Sequence, residues 1–246
     1  MLKIAAIVDI GARTKNDDRI LIDNKIHSLC ELSLTCGPEL LAAVADGVGG
    51  AFYGDVAAEL ALKELAGVTD FSIEEIKTKI VSANERVLEG QKNEFHEKMA
   101  TTLTGVYIKG SDLIVFNVGD SRVYRIRNGL ARQLTHDDSK IQNLLDNNLV
   151  TIEEAKSHHD RNIITKWVGK KLLTPEVTLY PDSFFQNDYL ILCSDGLSDM
   201  LDSENIETIL TLSISLEDKT KKLIDAINQK GANDNVSIII IKKDGE

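Results

Sequence analysis

Residues 40–50 read LLAAVADGVGG. Leu40–Ala45, all small or apolar, make a buried strand that runs straight into a carboxylate, Asp46, and a cluster of glycines. Such a join suits a turn, or a site where backbone must approach a charged ligand closely. The arrangement recurs: Asp120-Ser121 follows LIVFNVG (113–119), Asp195-Gly196 follows YLILCS (189–194), and Asp234-Asn235 precedes VSIIII (236–241). Any one of these pairs is a good turn former. Four strand ends that each carry an aspartate can also converge on one rim, where the carboxylates repel unless a cation compensates.

Working outward, residues 2–10 read as a first strand with Arg19–Asp23 as its partner, while 24–37 give no regular pattern. Asp55–Ala66 has helical spacing and stops at Gly67. Ser72-Ile73-Glu74-Glu75 is a capping box opening a long helix to about Asn93. Strands follow over Thr101–Lys109, Asp112–Val118 and Ser121–Arg127, and Asn128-Gly129 closes a hairpin onto Leu130–Leu134. From His136 to about Lys166 the pattern is polar and helical, with a second capping box at Thr151. Strands over Glu176–Tyr180 and Asp188–Cys193, two helices after Asp202 and from about Ser215 to Lys230, and a last strand Val236–Lys242 complete the chain. Strands in hairpins and helices in blocks predict an α+β layered sandwich of antiparallel sheets covered by helices.

Length and composition bound the function. The 246 residues, with little proline and no Ser/Gly/Pro linker, predict a single domain over 1–246. A net charge of −11 disfavours binding to a phosphate backbone, so no nucleic acid partner is expected. No apolar run reaches the ~18 residues of a membrane span, and the N-terminus reads as a strand, not a signal peptide. Cys30, Cys36 and Cys193 make neither a disulfide framework nor a zinc pattern and suit a reducing cytoplasm.

Several chemistries are absent. Gly47–Gly50 miss the dinucleotide GxGxxG because Phe52 takes the last position, and there is no Walker loop and no GxSxG elbow. No cysteine is followed six positions later by arginine, so a cysteine-dependent phosphatase loop is missing too. What remains is an all-oxygen ligand set, which points to Mg²⁺ or Mn²⁺. Carboxylates holding two such ions about 3.5–4 Å apart are a recurring device for hydrolysing phosphate esters. That chemistry needs a cation for the phosphate, and Arg13, in GARTKNDDR (11–19) beside Asp17 and Asp18, is the candidate.

The ordered blocks GARTKNDDR, VADGVGG, MATTLTGVYI, FNVGDSRVYRIRNG, LTHDDS, ILCSDGLSDM and NDNVSIII together resemble the metal-dependent protein serine/threonine phosphatases of the type 2C (PPM) family in their compact bacterial form. They run from residue 11 to about 240, nearly the whole chain. The resemblance implies a four-layer α-β-β-α sandwich with two central antiparallel sheets, helices outside, and a flap near 139–168 beside the site. It implies that Asp46 bridges two metals, that the Gly47 carbonyl serves one of them, and that Asp195 and Asp234 hold the other. Asp17 and Asp18 would support the ions partly through water, Asp17 standing where Glu is usual. Asp120, Asp195 and Asp199 match a third, weaker metal position, and Arg13 would bind the substrate phosphate. Gly49 and Gly50 would leave room for metal, water and phosphate.

Animal members commonly carry His after the Asp-Gly; here Val48 stands there. The leaving oxygen would then be protonated by a water of the metal centre or by His136, although a lone His is more often structural. The resemblance implies a cytoplasmic phosphatase of phosphoserine and phosphothreonine, acting by direct attack of a water bridging two ions and opposing a protein kinase. A monomer is expected. The alternatives are a catalytically inactive phosphoprotein-binding adaptor of the same fold, which should have lost one of Asp46, Asp195 or Asp234, and a phosphatase of a small anti-sigma antagonist, a kind that usually lacks the flap.

Overall fold

A computed structural model describes residues 1–48, 53–93 and 96–244. In chain order its elements are β1 (Leu2–Asp9), β2 (Arg19–Ile22), β3 (Lys25–His27), β4 (Cys30–Cys36), β5 (Glu39–Ala45), α1 (Gly54–Leu65), α2 (Ile73–Gly90), β6 (Leu103–Lys109), β7 (Asp112–Val118), β8 (Arg122–Arg127) and β9 (Leu130–Gln133). Then come α3 (Lys140–Asp146), α4 (Ile152–Lys156), β10 (Glu176–Tyr180), β11 (Tyr189–Cys193), α5 (Asp195–Ser198), α6 (Ser203–Thr211), α7 (Leu216–Gln229) and β12 (Val236–Lys243). The strands form two six-stranded antiparallel sheets, ordered β4-β1-β12-β11-β8-β9 and β10-β7-β6-β5-β2-β3.

Strands such as β5 and β12 are apolar on both faces because both faces are covered. Leu40, Ala42 and Val44 meet Ile239 and Ile241 in the core between the sheets. Their neighbours Leu41, Ala43 and Ala45 turn outward onto Ala57, Ala61 and Leu62 of α1 and Ile76 and Ile80 of α2. On the other side Ile238 and Ile240 pack under Ile206 of α6 and Leu223 and Ile227 of α7. Three apolar layers therefore separate helix, sheet, sheet and helix, the expected four-layer sandwich. Among the described residues no helix is long and apolar enough to cross a membrane.

Two expectations need correction. Arg19–Asp23 is not the partner of the first strand. β1 pairs with β12 and β4, while β2 pairs with β3 and β5 in the other sheet. The nine residues between β1 and β2 are too many for a tight hairpin and instead carry the chain across the sandwich. Residues 24–37 are not irregular either, for they hold β3 and β4. β4 is an edge strand whose alternate residues are exposed, so only Leu32 and Leu34, with the two cysteines, reach the core.

The segment expected as a flap, 139–168, holds the two short helices α3 and α4. α3 and α4 bury no residue of their own. The Thr151 capping box forms in full, Thr151 Oγ1 accepting from Glu154 N at 3.2 Å and Glu154 Oε2 from Thr151 N at 2.8 Å. Its base is closed by bridges from Ser139 to Ile164 and from Thr101 to Val168.

Candidate metal centre

Asp46 leaves the end of β5, Asp120 sits between β7 and β8, Asp195 opens α5 just after β11, and Asp234 precedes β12. These ends of the two sheets meet at one rim. All four aspartates line a single cavity of about 750 Å³ with Arg13, Asp17 and Gly47. The predicted cluster is therefore brought together by the sandwich.

Asp46 is fixed by its backbone: its N–H donates to Thr102 Oγ1 at 3.0 Å, and its carbonyl accepts from Thr102 N at 2.8 Å and Thr101 Oγ1 at 2.9 Å. The next residue has no room for a side chain. A Cβ on Gly47 would stand 2.5 Å from Gly54 C and 2.8 Å from Asp17 Cβ. Glycine here lets the start of α1 close against the strand end and leaves Asp46 facing the cavity. Gly49 and Gly50, read as making space, lie outside the described residues.

Asp18 is fully buried and lies across the two sheets. It precedes β2 of one sheet, and its Oδ2 accepts from Ser194 Oγ at 2.9 Å and Ser237 Oγ at 2.7 Å at the β11 and β12 ends of the other. Burial, offset in part by these bonds, pushes its carboxyl up to about 6. Burial and then the charge of Asp137 push Asp120 up to about 7. Asp46 and Asp195 are raised well above the usual carboxylate range by burial first and by the surrounding aspartates second.

Two oxygens here, Oδ1 of Asp18 and Oδ1 of Asp195, are buried without a hydrogen-bond partner. Buried carboxylate oxygens left bare, among neighbours of like charge, are costly unless a cation meets them. The set offers only oxygen and so fits a hard divalent ion. The residues present thus fit the expected metals. The rim carboxylates are spread out: among the described residues the trio whose ligand atoms lie mutually within 4.8 Å is His158, His159 and Asp160 on the flap. There Asp160 is held by Lys140 at 2.5 Å, and His158 Nδ1 accepts from Asp160 N at 3.1 Å, so that group is structural.

The remaining predicted residues are placed as follows. Asp17 lines the cavity, but its Oδ1 receives Lys15 Nζ at 3.0 Å and the Asp55 amide at 3.3 Å. Asp199, one turn beyond Asp195, is exposed and with Asp120 and Asp195 borders a neighbouring cavity under the flap. Arg13 reaches the main cavity with its fork on Asp234, Nε to Oδ1 at 2.9 Å and Nη2 to Oδ2 at 2.7 Å. His136 is not at the centre: it is exposed and meets Asp146 of the flap at 3.0 Å. Cys193 is buried in the core, as read.

Sequence reasoning missed the residues that hold these in place. Asn235 Nδ2 donates to the carbonyls of Ile10 and Lys15 at 2.9 and 3.0 Å, and its Oδ1 accepts from Asp17 N at 2.9 Å. It therefore docks the Arg13 loop onto the β12 end. Ser194, Ser237 and Thr102 do the same for Asp18 and Asp46. They sit in the quoted motifs, but as ordinary polar residues they carry no signal of their own.

Comparison with known proteins gives this sandwich and its rim of aspartates a family. The protein phosphatase 2C profile matches residues 29–237, and the chain belongs to that family. It is 32% identical over 262 aligned residues to protein phosphatase PhpP of Streptococcus pneumoniae, covering 100% of this chain and 99% of that one. The fold superposes on the S. agalactiae serine/threonine phosphatase with a TM-score of 0.87 and 31% identity, covering 98% of this chain and 99% of the other. The catalytic domain of the serine/threonine phosphatase PstP, in complex with two manganese ions, matches at a TM-score of 0.82 and 28% identity over the full length of both.

Proposed function

We propose that this chain is a metal-dependent protein phosphatase that hydrolyses phosphoserine and phosphothreonine in phosphorylated proteins, with Mn²⁺ or Mg²⁺ as its ions. One observation carries the reading: partly buried carboxylates from both sheets surround one cavity, two oxygens there lack a hydrogen-bond partner, and the proton affinities of Asp46 and Asp195 are raised by desolvation first and by the neighbouring aspartates second. Asp46 would serve both ions, the Gly47 carbonyl one of them, and Asp195 and Asp234 the other, with Asp18 and Asp17 in support. Asp120, Asp195 and Asp199 are the set for a third. When bound, the ions acidify water and offset the charge of the phosphoryl oxygens.

The protein's own groups do the rest. Asp18 is anchored by two serines, and the backbone of Asp46 is held by Thr101 and Thr102. Arg13 offers a planar fork matched to a phosphate. Water adds to phosphorus, the bond to the serine or threonine oxygen breaks, and that oxygen takes up a proton. Val48 supplies no acid, and among the described residues no histidine lines the cavity, so the proton comes from solvent in the site. The intact set Asp46, Asp195 and Asp234 favours an enzyme over a binding-only relative, and the flap favours broad protein substrates over a small anti-sigma antagonist. We further assign 1–246 to one catalytic domain, a monomer working in the cytoplasm against a serine/threonine kinase.

The test is hydrolysis of a phosphothreonine peptide with Mn²⁺, with Mg²⁺ and with chelator, beside Asp46→Asn and Asp195→Asn. Turnover that requires metal and drops by orders of magnitude in both variants is expected. Folded protein without turnover under any metal would sink the enzyme reading.

A further inference from the structure

Arg13 and Asp234 stand 221 residues apart in sequence, yet each is the other's bidentate partner. Both oxygens of Asp234 are engaged, and Oδ1 also accepts from Asn235 N at 2.8 Å. Both residues line the cavity with Asp46 and Asp195, and the Arg13 charge is felt by both of those carboxylates.

The two backbones are locked together. Ala12 N donates to Ala232 O at 2.8 Å, and Gly11 lies so close that a Cβ would stand 2.0 Å from Asp234 O. The side chains are not locked, with about half of Arg13 and 40% of Asp234 open to solvent. A guanidinium fork grips carboxylate and phosphate with the same geometry. Arg13 can therefore exchange one partner for the other by rotation of its side chain alone.

We propose that the Arg13–Asp234 pair is a latch on the metal centre. Asp234 gives its oxygens either to Arg13 or to a divalent ion, and ion binding turns the fork of Arg13 toward the substrate phosphate. The inference rests on the phosphatase reading, because it takes Asp234 as a metal ligand. It has two consequences. In the free protein Arg13 competes with the metal and weakens its binding. With phosphate present the same residue favours metal binding, since a phosphate on Arg13 keeps it off Asp234. Coupling of this kind is reciprocal, and its usual size is about 5- to 150-fold. A partly exposed pair belongs at the lower end.

The experiment is calorimetric titration of Mn²⁺ into the full chain, wild type, Arg13→Gln and Arg13→Lys, without and with saturating inorganic phosphate. Without phosphate, both variants are expected to bind Mn²⁺ about fivefold more tightly than wild type. With phosphate the order should reverse, wild type binding more tightly. Lysine separates the latch from a simple field effect, since it keeps the charge and loses the fork. Tightening in Arg13→Gln alone would overturn the latch and leave only electrostatic repulsion. Unchanged affinity in both variants would overturn it outright. If wild type bound no Mn²⁺ at all, the metal reading itself would fall, and the latch with it.

Discussion

At Gly47 a single hydrogen in place of a methyl group decides the geometry of the centre. A Cβ there meets backbone, Gly54 C at 2.5 Å and Gly54 Cα at 2.7 Å, which cannot swing aside. The reciprocal substitution is milder, for a Cβ on Gly54 meets Gly47 at 3.0–3.1 Å. Gly47→Ala is therefore expected to cost about 1–3 kcal/mol of stability by overpacking and to weaken Mn²⁺ binding, because the strand end carrying Asp46 must shift. Gly54→Ala should cost less on both counts. Thermal melts and metal titration of the two variants check this; equal effects would show that the contact is not what requires glycine. The residues legible in the sequence were those, like Asp46 and Gly47, whose type conflicts with their apolar surroundings. Ser194, Ser237 and Asn235 were not, because a serine or asparagine at a strand end is unremarkable until the fold sets a carboxylate or a foreign carbonyl beside it.

Between elements, the flap depends on how its base is tied to the β7–β8 turn. Asp138 accepts from Gly119 N at 3.2 Å, pairs with Lys166 at 2.5 Å, and through its backbone joins Gly119 O at 2.8 Å and Thr165 N at 2.6 Å. Gly119 precedes Asp120, so one buried carboxylate links the flap to the metal rim. Asp138→Ala leaves the Gly119 amide without its partner and frees Lys166, a loss of about 1–3 kcal/mol. The expected result is faster hydrogen exchange and proteolytic cutting within 140–163, with β12 still protected. Uniform loss of protection across the chain would mean that Asp138 supports the core and not the flap. At this scale the sequence was read well where periodicity was strong, as in β5, β12 and the Thr151 box. It was misread at β2 and β4. A strand's partner is chosen by the path of the chain across the sandwich, and an edge strand that buries only alternate side chains leaves a faint pattern.

Over the whole molecule, the centre joins the two sheets. Its ligand candidates come from β2 and β5 of one sheet and from the β11 and β12 ends of the other, and Asp18 bonds across the gap. Ion binding should therefore stabilise the entire fold. Metal at about 100 times its Kd adds about 2.7 kcal/mol, or roughly 5–10 °C in Tm for a chain of this size. The gain should also depend on pH. Asp120 is raised from 3.8 to about 7 and Asp18 to about 6 in the folded chain. Between the unfolded and folded values the folded state holds protons that the unfolded state has released. In chelator, the contribution of these groups to stability therefore falls as pH rises from about 4 to about 7, and it stays low above that. Mn²⁺ must displace those protons, so its stabilisation grows over the same range. Melts in chelator and in excess Mn²⁺ should show a larger Tm difference at about pH 8 than at about pH 5, and Asp195→Asn should shrink it at both. A difference independent of pH would mean that the aspartates are already ionised in the folded chain, and that their crowding on the rim is relieved by something other than a proton or a metal.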